Sequence, residues 1–116
     1  MWLFTKIGFF SVVKDRRNAN NVIVRSRSKE DITAFSNTAF TKVARKKGKG
    51  NVLHTPEADY PYRVVMSQAD FGMWAHKAAL ELDYDNFKAS VPPERARVYH
   101  DVWFMLARAF AHGRHE

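Results

Sequence analysis

The chain opens on a run with apolar side chains at nearly every position: Trp2, Leu3, Phe4, Ile7, Phe9, Phe10, Val12 and Val13. β-Branched and aromatic residues packed into so short a span predict a strand over residues 1–13. Alternation assigns Trp2, Phe4, Phe10 and Val12 to one face and Leu3, Ile7, Phe9 and Val13 to the other. A strand apolar on both faces is expected to be central or covered on both sides. Gly8 marks a bulge or a close backbone approach. The polar stretch from Asp15 to Asn21 supplies turn residues, and Val22, Ile23 and Val24 lead a second strand that ends near Arg27. The two strands pair as a hairpin with a long basic loop.

The period then changes from two to that of a helix. Ser28 is an N-cap with Asp31 at N3, an acidic variant of the capping box, and Glu30 and Asp31 suit the positive end of the helix dipole. Ile32, Phe35, Ala39 and Val43 follow on one face, and the helix is expected to run to Gly48 or Gly50 with Arg45, Lys46 and Lys47 in its last turn. Pro56 and Pro61 break the pattern, and Val52, Leu53 and His54 make a faint extra strand. A further strand runs from Tyr62 to Met66. Ser67 caps the next helix with Asp70 at N3, and Phe71, Trp74, Ala75, Ala78 and Leu82 form its apolar stripe. Asp83 to Lys88 turns the chain. Pro93 suits the first position of a last helix, whose buried face is Tyr99, Val102, Trp103, Leu106 and Phe110 and whose end is Gly113.

The order is β-β-α-β-α-α. It predicts an α+β fold, a small antiparallel sheet of three or four strands with helices packed on one face, in a single domain of residues 1–116. Phe71, Trp74, Leu82, Tyr99, Trp103 and Phe110 are expected in one core against the sheet. In the Asp83–Lys88 turn, Tyr84 or Phe87 is expected to be buried. At least one of Asp83, Asp85 and Asn86 is expected to bond to backbone or to Arg63.

Composition narrows the function. At 116 residues, 46% hydrophobic and 27% charged, the chain reads as one folded domain rather than a disordered segment. It has no cysteine, so a disulfide scaffold, thiolate metal sites and a cysteine nucleophile are excluded. No apolar run is long enough to cross a membrane. The N-terminal stretch carries Lys6 in its middle and no small-residue cleavage site, so it does not read as a signal peptide; a cytoplasmic location is expected.

Charge changes the picture most. The net charge of +7 is carried by residues 1–50, with 12 Lys/Arg against 3 Asp/Glu, whereas residues 51–116 hold 7 against 9. Such asymmetry points to a polyanionic partner, a nucleic acid or an acidic protein. The candidate nucleic-acid-binding residues are Arg16 and Arg17 in the hairpin loop, Arg25 and Arg27 alternating onto one face of a strand, and Lys46, Lys47 and Lys49 after the first helix. Lys and Arg at this density neutralise phosphates, and Trp2 and Phe4 offer base-stacking platforms. The same aromatics also serve as ordinary core.

Three blocks carry a resemblance. Thr5-Lys6-Ile7-Gly8-Phe9-Phe10-Ser11 fits TK-x-GFFS, Thr55 to Arg63 fits TP-x-ADY-x-YR, and Asp83 to Lys88 reads DYDNFK, with Tyr99, Val102 and Trp103 downstream. Together they resemble a group of small uncharacterised bacterial proteins. The resemblance spans most of the chain and implies no activity.

Other chemistry is sparse. Tyr62, Arg63, Asp83 and Asp85 are candidates for a small-ligand pocket, although an aspartate-rich turn paired with Arg63 explains them as well. Asp83, Asp85 and Asn86 lack the glycine and final glutamate of a calcium loop. His54, His76 and His100 are scattered, and His112 and His115 lie in the tail, so no metal and no cofactor is expected. No serine sits in a nucleophile-elbow pattern, and Gly48-Lys49-Gly50 lacks the longer phosphate-loop frame. No catalytic residue is assigned. The leading expectation is a non-enzymatic binding module that contacts an anionic partner, nucleic acid, through its basic N-terminal half. The alternatives are a small protein–protein interaction protein, such as a phage- or prophage-type inhibitor, and a small-ligand enzyme. A continuous basic face favours the first, an exposed apolar patch the second, and a deep pocket with convergent polar groups the third.

Overall fold

A computed structural model describes residues 1–111. The chain divides into two compact units, Met1–Leu82 and a second from Asp83 onward. The first holds strands β1 (Trp2–Thr5), β2 (Gly8–Lys14) and β3 (Asn21–Ser26), helices α1 (Lys29–Ala39) and α2 (Lys42–Lys46), strands β4 (Leu53–His54) and β5 (Tyr62–Ser67), and helix α3 (Gln68–Leu80). The second holds a 3-10 turn, Lys88–Ser90, and helix α4 (Pro93–Ala111). The class is α+β, with a five-stranded antiparallel sheet in the order β1-β2-β3-β5-β4.

The N-terminal run is two strands rather than one. It folds back after Thr5, whose hydroxyl donates to the Gly8 carbonyl (2.7 Å) and accepts from the Gly8 amide (3.1 Å). Trp2 therefore pairs with Ser11, and Phe4 with Phe9, so Trp2 and Phe4 share a face with Phe9 and not with Phe10 and Val12. Gly8 is where a Cβ cannot fit: one built there falls 2.5 Å from the Asp31 Cγ. That space is taken because Asp31, buried at N3 of α1, accepts the Phe9 amide at 3.2 Å.

One face of the sheet makes the core. Phe10 and Val12 of β2, Val22 and Val24 of β3, and Val64 and Met66 of β5 meet Ile32 and Phe35 of α1 and Phe71 of α3. Register explains the match, because Val24 is the cross-strand partner of both Val12 and Val64. The ring of Phe35 packs against Phe10 at 5.4 Å and Trp74 at 4.8 Å, and the Trp74 indole donates to the Thr38 hydroxyl. Helices α1 and α3 thus cover this face.

Both caps form as the sequence indicates. The Ser28 hydroxyl accepts from the Asp31 amide at 3.2 Å and the Ser67 hydroxyl from the Asp70 amide at 3.0 Å. Replacing Ser28 by Ala should therefore cost about 1 kcal/mol, read as a lower urea midpoint with an unchanged slope. An unaltered midpoint would mean that the cap bond contributes nothing.

Helix α1 stops at Ala39, short of the expected Gly48 or Gly50. Phe40 is extended and Thr41 caps a new five-residue helix, its hydroxyl accepting from the Ala44 amide at 3.1 Å. Val43 is consequently exposed rather than part of the α1 stripe.

In the second unit Tyr99 is buried and stacks on Phe87 at 5.3 Å, and Asn86 accepts the Ala89 amide at 3.3 Å. Tyr84 and Phe87 pack against each other but are only half-buried, short of the burial expected of one of them, whereas the expected bond of Asn86 to backbone forms. The single core expected from spacing is overturned for three residues: Leu82 is 61% exposed, Trp103 52% and Phe110 68%. Leu82 lies beyond the end of α3, where the stripe no longer has a helix to carry it. The expected end of α4 at Gly113 and the pair His112 and His115 fall outside the described residues. Among the described residues no helix is long and apolar enough to cross a membrane.

Candidate nucleic-acid interface

The sheet face turned away from α1 and α3 is built by the residues that alternate with the core. Across it runs one row in register: Trp2 on β1, Ser11 on β2, Arg25 on β3, Arg63 on β5 and Leu53 on β4. No helix of residues 1–82 covers this row. Arg25 donates through Nη2 to the Ser11 hydroxyl at 2.7 Å, which fixes its guanidinium low on the sheet. Arg63 donates through Nη2 to the Tyr60 carbonyl at 3.4 Å.

Tyr60 organises the arginines. It is 5% exposed, and its ring carries the Arg25 guanidinium at 4.8 Å and the Arg27 guanidinium at 4.9 Å. Phe9 lies 6.4 Å from Tyr60, Phe4 lies 4.7 Å from Phe9, and Trp2 meets Phe9 edge-to-face at 5.7 Å. An aromatic ladder therefore leads from exposed Trp2 to the arginine cluster. Cation–π contact orients a guanidinium without neutralising it.

The electrostatics of the row are unbalanced. Arg25 and Arg63 are direct cross-strand partners, and like charges so placed destabilise a sheet. Among the described residues no carboxylate pairs with Arg25, Arg27 or Arg63. The Nε–H groups of Arg25 and Arg63 are both buried and lack an acceptor. Three cations thus sit together with unused donors and no counter-charge, an arrangement suited to receiving an anion.

The other predicted basic residues lie elsewhere. Arg16 and Arg17 are exposed in the β2–β3 loop, beyond Lys14, at the opposite end of the hairpin from Arg25 and Arg27. Lys46 ends α2, Lys47 and Lys49 follow it, and all three are exposed. Lys49 lines a hollow of about 440 Å³ with Asn21, Asn51, Ser67 and Asp70, which puts the lysine run at the same end as that loop. The basic residues therefore form two groups rather than one continuous face.

Of the four candidate pocket residues, Tyr62 and Arg63 share one strand, β5. Tyr62 and Arg63 are consecutive in β5 and point to opposite faces. Tyr62 packs beside the core and stacks on His54 at 4.7 Å, whereas Arg63 joins the arginine row. Asp83 and Asp85 belong to the second unit. Among the described residues no group of His, Asp and Glu is placed to hold a metal ion.

The interface members missed by sequence reasoning are Tyr60 and the Arg63 role. Tyr60 sits between Pro56 and Pro61 in an irregular segment with no period to read. No family model, curated protein or solved structure matches this chain.

Proposed function

We propose that the protein is a non-enzymatic nucleic-acid-binding module whose binding surface is the sheet face opposite α1 and α3, bearing Arg25, Arg27 and Arg63. The observation that carries this reading is the cross-strand Arg25–Arg63 pair, which has no carboxylate partner and two unsatisfied buried Nε–H donors. A fold gains nothing from opposing two guanidiniums in this way. A phosphate bound at the exposed part of the pair reduces that repulsion. The aromatic residues beside the row supply contact area that a bare phosphate site does not need. Arg16, Arg17, Lys46, Lys47 and Lys49 act as a second group that raises the local attraction for a polyanion and adds little selectivity.

The reading sets stability against binding at one position. Arg63→Gln should leave the protein as stable as the wild type or raise stability by about 0.5 kcal/mol, because a like-charge pair is relieved. The same change should weaken nucleic-acid binding and flatten its salt dependence by the share of about one neutralised phosphate. Thermal melting and fluorescence anisotropy with a labelled oligonucleotide, run on one preparation, measure both. Unchanged binding together with reduced stability would identify Arg63 as a structural residue and contradict the reading.

A further inference from the structure

The geometry of this face points to the form of nucleic acid it takes: we infer that the occupant is a single strand, with one unstacked base laid on Trp2 and the adjoining phosphates on Arg25 and Arg63. The inference rests on the nucleic-acid reading above and goes beyond it in naming the strand form and the base-contacting residue.

Trp2 is the first observation. It is 67% exposed on a strand, held against the Phe9 ring at an interplanar angle of 84°. That edge-to-face contact uses at most one face of the indole. Trp74 makes the contrast, with its ring packed on Phe35 and Phe71 and its N–H donated to Thr38. A large aromatic left open at a fixed orientation costs solubility and returns no packing, unless a flat apolar ligand covers it.

Spacing is the second. Trp2, Ser11, Arg25 and Arg63 stand on successive strands in one register row. At about 4.8 Å between neighbouring strands, Trp2 lies about 10 Å from Arg25 along the sheet and about 14 Å from Arg63. A chain crossing the strands can put a base on the indole and its next phosphates over the guanidiniums. The small, buried Ser11 between them holds Arg25 down at 2.7 Å.

The third is what this face lacks. In residues 1–82 no helix or β-ribbon rises from it that could enter a groove, and its arginines are held close to the sheet by Ser11 and Tyr60. Duplex base edges are read by elements that enter the major groove, and duplex base faces are hidden in the stack. A duplex would meet the charges here and leave Trp2 unused. Unpaired bases expose both the π-face and the flexible backbone that this row accommodates.

The test compares RNA and DNA oligonucleotides of one mixed sequence, about ten nucleotides long, each alone and annealed to its complement. Wild type, Trp2→Ala, Trp2→Phe and Arg25→Gln/Arg27→Gln are titrated by fluorescence anisotropy at equal salt, with circular dichroism to check folding. Either sugar in single-stranded form satisfies the inference, since the shared chemistry is an unstacked base beside phosphates. The expected result is tighter binding of single strands than of duplexes by the wild type. Trp2→Ala should lose about tenfold on single strands and little on duplexes, and Trp2→Phe should recover most of that loss. Duplex binding as tight as single-strand binding, still sensitive to the arginine substitutions, would overturn the strand form while leaving the arginine surface standing. Single-strand binding unaffected by Trp2→Ala would overturn the role of Trp2. Absence of binding to all four probes would overturn the nucleic-acid reading itself.

Discussion

Replacing both Arg25 and Arg27 by Gln is expected to lower affinity for a single-stranded oligonucleotide about 30-fold at low salt, a loss of about 2 kcal/mol. Both guanidiniums are held over the Tyr60 ring, at 4.8 and 4.9 Å from its centre, so their positions are set before any ligand arrives. Little ordering entropy is then lost on binding, and removal of the charges takes away interactions that were preorganised. The salt dependence should change with the affinity. Each single-strand phosphate that the protein no longer neutralises lowers the slope of log K against log salt by about 0.7, so the double variant should be flatter by about 1.4. Stability should move by less than about 1 kcal/mol. Arg27 is exposed, and removal of the Arg25–Ser11 hydrogen bond is offset by relief of the Arg25–Arg63 repulsion. A variant that retains affinity and slope would place any binding at Arg16, Arg17 and the Lys46–Lys49 run instead.

Gly8→Ala is expected to destabilise the fold by about 3 kcal/mol, more than any surface substitution named above. The added methyl would lie 2.5 Å from the Asp31 Cγ and 2.6 Å from its Oδ2. Asp31 cannot retreat freely, because it is buried at the N-terminal turn of α1 and accepts the Phe9 amide. Moving it exposes the turn between β1 and β2 and leaves a backbone donor without its partner. The backbone at Gly8 adds to the cost, with φ +156°. Urea denaturation measures the effect. A loss below about 1 kcal/mol would mean that the Asp31 side chain is adaptable and that the β1–β2 turn does not depend on it.

That same turn shows where local pattern stops being informative. Residues 1–13 read as one strand because Lys6 and Ile7, the residues at the reversal, are not turn formers and the apolar run continues through them. The reversal is held by Thr5 hydroxyl bonds and by Asp31, which lies 22 positions further on from Phe9, the residue it bonds. Alternation that ignores the turn places Trp2 and Phe4 with Phe10 and Val12. The break at Phe40 is hidden in the same way, since Val43 continues the spacing of Phe35 and Ala39 while Thr41 supplies the new cap. By contrast, β3, β5 and the helices capped by Ser28 and Ser67 are legible, because each is specified by residues within one or two turns of itself.

For the candidate interface, the alternation of Arg25 and Arg27 is readable in the strand pattern. Their setting is not. Arg63 becomes a neighbour of Arg25 only because β5 pairs with β3 across a helical excursion, and Tyr60 reaches both Arg25 and Arg27 from an irregular segment. Non-local register of this kind leaves no signature in either strand alone.

The most direct test of the arginine surface observes its side chains during binding. Arginine Nε–H and tryptophan indole N–H resonances of ¹⁵N-labelled protein are recorded while a single-stranded oligonucleotide is added. Buried, unpaired Nε–H groups make Arg25 and Arg63 the reporters, with Arg45, whose Nε–H is also buried and unpaired, and Trp74 as internal controls. The account predicts that Arg25, Arg63 and Trp2 shift together and saturate at one stoichiometry while Arg45 and Trp74 stay in place. Resonances of Arg25 and Arg63 that remain still, while backbone amides of Arg16, Arg17 and the Lys46–Lys49 run move, would contradict it.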